Sequence, residues 1–121
     1  MNFDSTWEEE YAERLEYLRR AGQIRSWRRI EHKTKDFPLE VNGCHIAYIQ
    51  PDFMVMTNSG VIQAHEVKAM GGPVWWARSI DVWKLKRKMF EALHPRMPYL
   101  VFTKRAGQWV PWGKTKRRVS R

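Results

Sequence analysis

Residues 51–68 read PDFMVMTNSGVIQAHEVK, and the reading of this stretch decides the fold. Thr57-Asn58-Ser59-Gly60 is a turn between two strand-like runs, one ending at Met56 and one covering 61–68. Residues two apart in a strand project from one face, so Glu66 and Lys68 point together and His65 points away. A turn that pairs the two runs brings Asp52, at the far end of the first, beside Glu66 on the second. Pro51 has no N–H to give to a ladder and bends or breaks the first run.

Working outward, Asn42-Gly43 signals a tight type I′ hairpin between a run at 38–41 and a run at 44–56. Upstream, Trp7, Tyr11, Leu15 and Leu18 recur at helical spacing, which predicts a helix over 5–21. Ser5 and Glu8 open it as a capping box, and Gly22 ends it. Residues 24–35 are mixed and basic, with room for a strand at 26–30. Downstream, Gly71-Gly72-Pro73 opens a loop carrying Trp75 and Trp76. Ser79 caps a second helix over 80–93, stopped before Pro95. Short strands follow at 99–103 and 108–112, around Ala106-Gly107. The resulting order is helix, three strands, helix, strand, a mixed α/β pattern. Residues 1–113 form one domain, and 114–121 read as a basic flexible tail.

With 121 residues there is chain enough for one core and not for a second. Lys and Arg outnumber Asp and Glu by 22 to 13, a net charge of +9 that favours polyanions, nucleic acid first among them. The basic residues gather around 19–29, along 84–88 and in the tail, as suits a surface tracking a duplex. An anionic membrane surface competes for the same charge, but neither helix joins a long apolar face to a continuous basic one. No run of about 18 apolar residues occurs, and the start MNFDSTWEEE is acidic, unlike a signal peptide. Cys44 is alone, which excludes a disulfide framework and a cysteine zinc cluster and fits a reducing cytosol. His32, His45, His65 and His94 show no paired-ligand spacing, and no phosphate-cradling glycine loop is present, so no nucleotide cofactor is expected.

Two carboxylates brought together repel unless a cation lies between them. Asp52 and Glu66 supply hard oxygen ligands suited to Mg²⁺ or Mn²⁺. A metal there polarises a phosphodiester oxygen and acidifies a bound water. Lys68 stands where it can position that water and offset charge on the phosphate. An edge hairpin with a solvated Glu66–Lys68 pair is the structural alternative. Glu8 falls on the apolar side of the first helix, where it meets either metal-bound water or the backbone amides of the helix start. On the second helix Val82, Leu85, Met89 and Leu93 form an apolar face, with Trp83 and Phe90 beside them. Lys84, Arg87, Lys88 and Glu91 take the opposite side. Lys86 falls inside the apolar sector, so its ammonium either reaches the carboxylates or the scissile phosphate, or snorkels to water.

Across residues 5–68, and more loosely to 103, the chain resembles a family of small, phage-associated predicted nucleases of the PD-(D/E)XK type. The matching residues are Glu8, Tyr11-Ala12, Leu15, Leu18, Gly22, Ile24, Tyr48, Pro51-Asp52-Phe53, Gly60 and Glu66-Val67-Lys68. The resemblance implies a restriction-endonuclease-like core, with a central mixed sheet flanked by helices, like that of phage Holliday-junction resolvases. It further implies that Asp52 and Glu66 ligate the metal, that the Val67 carbonyl adds a ligand, and that Lys68 serves the nucleophile. A glycine often follows the lysine in such proteins; here Ala69 does, with Gly71-Gly72 slightly later.

The expectation is therefore a Mg²⁺- or Mn²⁺-dependent DNA endonuclease, suited to phage DNA processing or junction resolution, with Asp52, Glu66, Lys68, Glu8 and Lys86 as its site residues; branched junction, nicked duplex, specific site and single strand all stay open as substrates. A non-catalytic basic DNA-binding module on the same fold is the alternative. DNA is the expected partner, the host cytosol the expected compartment, and a symmetric homodimer the assembly suited to cutting both strands.

Overall fold

A computed structural model describes residues 3–30, 37–68 and 74–111, with side chains except at 3–5 and 74–81. Helix α1 (Phe3–Arg20) leads to strand β1 (Ser26–Arg29), then to a hairpin of β2 (Pro38–Val41) and β3 (Cys44–Tyr48). Strands β4 (Phe53–Met56) and β5 (Ile62–Val67), helix α2 (Val74–Leu93), β6 (Tyr99–Arg105) and β7 (Gln108–Pro111) complete it. Five strands form one mixed sheet in the order β1-β4-β5-β6-β7. The β5–β6 pair is parallel, because α2 carries the chain back across the sheet, and the other pairs are antiparallel.

Alternation along the strands sends side chains to two cores. Phe53, Val55 and Val67 meet Tyr11 and Leu15 of α1 on one face. Met54, Ala64, Tyr99 and Val101 meet Phe90 of α2 on the other, together with Leu39 and Ile49 around the hairpin. Each fully buried side chain of this size contributes about 1.5–3 kcal/mol. The end of α1 shows why its sequence stops there. Gly22 takes φ 79°, its N–H bonds the Arg19 carbonyl, and the Gln23 N–H bonds that of Leu18. These two bonds satisfy carbonyls the helix would otherwise leave open. At the hairpin, Val41 pairs with Cys44 across Asn42 and Gly43, at φ 53° and 77°, as a type I′ turn requires.

The structure corrects four expectations. The run at 44–56 breaks at Pro51 as expected, but its two parts lie in different sheets: β3 stays in the hairpin, and after Pro51 the chain enters the central sheet as β4. The strand beside β4 is β1, so the hairpin is an insertion and not part of the central sheet. Helix α1 is already under way at Ser5, which places the Ser5–Glu8 pair within the helix and not at its cap. Helix α2 starts at Val74, six residues before the expected 80, since nothing between Val74 and Ser79 breaks a helix.

The faces of α2 also differ from the wheel. Phe90 is buried and Trp83, Lys86, Arg87 and Met89 are half-buried, whereas Val82 and Leu85 are 57% and 61% exposed and Leu93 is exposed too. Arg87, expected outside, turns in to donate to the Tyr99 carbonyl at 2.9 Å. A long stem lets a guanidinium lie over the core edge while reaching a backbone acceptor. The tail and Trp112 lie outside the described residues, as do the Trp75 and Trp76 side chains. Among the described residues, no helix is long and apolar enough to cross a membrane.

Candidate active site

The β4–β5 ladder runs from Met56↔Ile62 to Phe53↔His65. Asp52 directly precedes Phe53, at the His65–Glu66 end of this ladder. Here the ladder changes character. The Asp52 N–H still bonds the His65 carbonyl at 2.9 Å, and the Asp52 carbonyl accepts from Ile30 N–H at 2.9 Å. The Val67 N–H, however, donates to the Asp52 carboxylate, to Oδ2 at 2.8 Å. A side chain thus completes the ladder where Pro51 turns the backbone away, and the carboxylate is fixed at that spot.

Asp52 and Glu66 are 7% and 8% exposed. Burial holds the Asp52 carboxyl well above the usual carboxylate range, and Glu66 and Glu8 push it further the same way. The Val67 amide and Lys68 oppose this and do not cancel it. Three acids, on α1, just before β4 and on β5, therefore share one electrostatic neighbourhood.

Glu66 is the most heavily bonded of them. Its Oε1 accepts from the Trp83 indole Nε1–H at 3.1 Å and from the Tyr99 hydroxyl. Its Oε2 lies 3.1 Å from the Lys68 ammonium. That ammonium also rests 4.6 Å from the centre of the Trp83 ring. Burial, followed by the Glu66 charge, drives the Tyr99 hydroxyl far above its usual range, so Tyr99 acts as a donor throughout the accessible pH range. Glu8 faces Arg29, with Oε1 3.0 Å from the guanidinium, whose other arm holds Glu9 at 2.8 Å. Among the described residues, this edge-strand arginine is the partner that the half-buried Glu8 finds.

The structure thus brings Asp52, Glu66 and Lys68 together and sets Glu8 close enough to act on Asp52. Lys86 is half-buried on α2, whereas Glu66 and Glu8 pair with Lys68 and Arg29. His65 lies on the opposite face, where it meets Tyr11 of α1 at 2.6 Å. Trp83 and Tyr99 were not among the expected site residues. The signal available was chemical: an indole N–H or phenol on a buried face needs an acceptor, and Glu66 is an acid that needs donors.

Among the described residues, no group of three or more His, Cys, Asp or Glu side chains is gathered as a ready metal cage. Asp52 and Glu66 nonetheless form a hard, all-oxygen donor pair without sulfur or imidazole, and the upward pressure on Asp52 is what a cation would relieve. Two protein carboxylates with waters filling the remaining positions are the usual holding of Mg²⁺. Comparison with protein-family models, with curated proteins and with solved structures returns no match.

Proposed function

We propose that this chain is a divalent-metal-dependent DNA endonuclease with a PD-(D/E)XK, restriction-endonuclease-like core. The observation that carries the reading is the juxtaposition of two buried acids, Asp52 and Glu66, with Lys68 at 3.1 Å from Glu66. Asp52 and Glu66 would hold Mg²⁺ or Mn²⁺, the Val67 carbonyl adding a ligand and Glu8 acting through water. When bound, the ion supplies Lewis-acid polarisation of the scissile phosphodiester and a water acidified toward neutral pH. Lys68 orients the attacking water and offsets negative charge as it builds on the phosphate. The net charge of +9 draws the polyanion to the site, and two copies related by a twofold axis would address both strands.

The test is incubation of the full chain with supercoiled plasmid and with a synthetic four-way junction, with and without Mg²⁺ or Mn²⁺, beside Glu66→Ala. Metal-dependent cutting lost in the variant supports the reading. Tight DNA binding with no cutting under any metal supports the non-catalytic module instead. That second reading has its own observation: the Glu8 and Lys68 charges are already answered within the chain, by Arg29 and Glu66.

Two further outcomes follow from the same reading. Lys86→Met keeps the stem and removes the ammonium from a half-buried position. A tenfold or larger fall in cleavage rate, about 1.4 kcal/mol of barrier, with unchanged or higher melting temperature is expected if Lys86 serves the scissile phosphate. A rate near wild type makes Lys86 a packing residue. DNA affinity is expected to fall steeply with salt, its log–log slope losing about 0.9 for each phosphate contact removed. Truncation before Lys114 should lower both slope and affinity in filter-binding titrations; an unchanged slope makes the tail a spectator.

A further inference from the structure

Glu66 is held by groups from three elements. Trp83 comes from α2, Tyr99 opens β6, and Lys68 directly follows β5. Both donors to Oε1 are edge or tip groups of rings that pack on each other, with centroids 6.4 Å apart at 62°. The Arg87 guanidinium lies 5.9 Å from the centre of each ring and bonds the Tyr99 carbonyl, so the ring pair is itself braced. A glutamate carboxylate turns freely about its last torsion and can exchange its two oxygens. Two donors converging on one oxygen stop that exchange. Trp83 does something more: its edge serves Glu66 while its face lies under Lys68. An ammonium over an indole face is attracted by the ring's negative quadrupole, which fixes where its long stem ends.

We infer that Trp83 and Tyr99 are positioning residues for the reaction: they turn Glu66 so that Oε2 alone faces a cation, and Trp83 holds Lys68 against that same oxygen. The inference rests on the nuclease reading and specifies how its site is set. It makes Glu66 a one-oxygen ligand, and it ties the placement of the ligand and of the lysine to a single side chain. A Trp and a Tyr that merely fill the core would show the same burial. Their removal would then alter melting temperature and leave the site's chemistry alone.

Trp83→Phe and Tyr99→Phe separate these cases in the full chain. Each removes one donor to Glu66 and keeps a ring in place, so Lys68 retains an aromatic face. Circular dichroism establishes that the variants are folded, and Tyr99→Phe, which deletes a single oxygen, serves if Trp83→Phe is not. Mn²⁺ titration by calorimetry without DNA is followed by cleavage kinetics at saturating Mn²⁺. The expected result is a Mn²⁺ Kd raised about tenfold or more, a lowered kcat and a KM for DNA within about twofold of wild type. Trp83→Leu, which also removes the face beneath Lys68, should lower kcat further than Trp83→Phe. Folded variants whose Mn²⁺ affinity and kcat stay within about twofold of wild type overturn the inference alone. A wild-type chain that neither binds Mn²⁺ nor cuts DNA overturns the nuclease reading and this inference with it.

Discussion

Replacing Asp52 with asparagine is expected to abolish cleavage and, in the same protein, to raise thermal stability. The two effects have one cause. Burial and the nearby Glu66 and Glu8 hold the Asp52 carboxyl well above its ordinary 3.8. A carboxyl whose folded value lies above its unfolded one stabilises the fold fully only below the unfolded value, and that contribution is lost as pH rises through the folded value. Near neutral pH a carboxyl at position 52 therefore costs the fold stability. Asparagine keeps an oxygen for the Val67 N–H and removes the charge. A gain of about 1 kcal/mol would raise the melting temperature by roughly 3–5 °C for a chain of this size. Cleavage should fall at least a hundredfold, about 2.7 kcal/mol of barrier. Glu66→Ala and Lys68→Ala should lose comparable activity without the rise. Glu66→Ala also strips the acceptor from the buried Tyr99 hydroxyl, which costs about 1–3 kcal/mol, and from the half-buried Trp83 indole, which costs less. Saturating Mg²⁺ should stabilise wild type, by about 2.7 kcal/mol at a hundred times its Kd, and leave Asp52→Asn unmoved. Scanning calorimetry with and without Mg²⁺, beside plasmid cleavage, reads all of this. Three variants that cut as fast as wild type would sink the assignment.

The elements legible in the sequence are those whose signal is local. The helical spacing of Tyr11 and Leu15, the Gly22 stop, the Asn42-Gly43 turn and the shared face of Glu66 and Lys68 each depend on a few neighbouring residues. The structure keeps each of them. What escaped was settled over distance. The strand expected at 26–30 is present as β1, but its place beside β4 was not legible: SWRR is a poor strand by composition, held by pairing with β4 and by Arg29 reaching Glu8 and Glu9. Tertiary pairing overrides weak propensity at an edge. Apolar count alone left the inward face of α2 rotated, right for Phe90, Trp83 and Met89 and wrong for Arg87, because the sheet offers Arg87 a carbonyl and Trp83 a carboxylate. Val82 and Leu85 find no such place and stay outside. The site shows the same division. Asp52, Glu66 and Lys68 fall within one hairpin and were readable from register. Trp83 and Tyr99 meet Glu66 across 17 and 33 residues, which only the crossover of α2 makes possible.

On the other face of the sheet, the fold is expected to lose about 3 kcal/mol as pH falls from 6.5 toward 4, through His65. This imidazole is 6% exposed, and burial, with a smaller push from the Arg14 charge, lowers its pKa to about 4. Its Nδ1 lies 2.6 Å from the Tyr11 hydroxyl and its Nε2 2.9 Å from Gln63 Oε1. The amide oxygen of Gln63 only accepts, so Nε2 carries the proton and Nδ1 accepts from Tyr11, whose hydroxyl burial keeps protonated. The neutral ring is thus the one the site fits. Between pH 4 and 6.5 the unfolded chain binds a proton that the folded chain refuses, so stability rises with pH through this window. At 1.36 kcal/mol per pH unit, the drop from 6.5 to about 4 gives the 3 kcal/mol. That is roughly a fifth to three fifths of the stability a domain usually has. Asp52 works with the opposite sign, because its raised pKa favours the fold at low pH, and in wild type the two partly cancel. Asp52→Asn should therefore show a steeper fall in stability toward acid than wild type does. Adding His65→Phe to it should flatten that slope, at the expense of the Tyr11 hydrogen bond that ties α1 to β5. Urea midpoints at pH 4.5, 5.5, 6.5 and 7.5 in the single and double variants measure this. An acid slope unchanged by His65→Phe would place its source elsewhere in the chain.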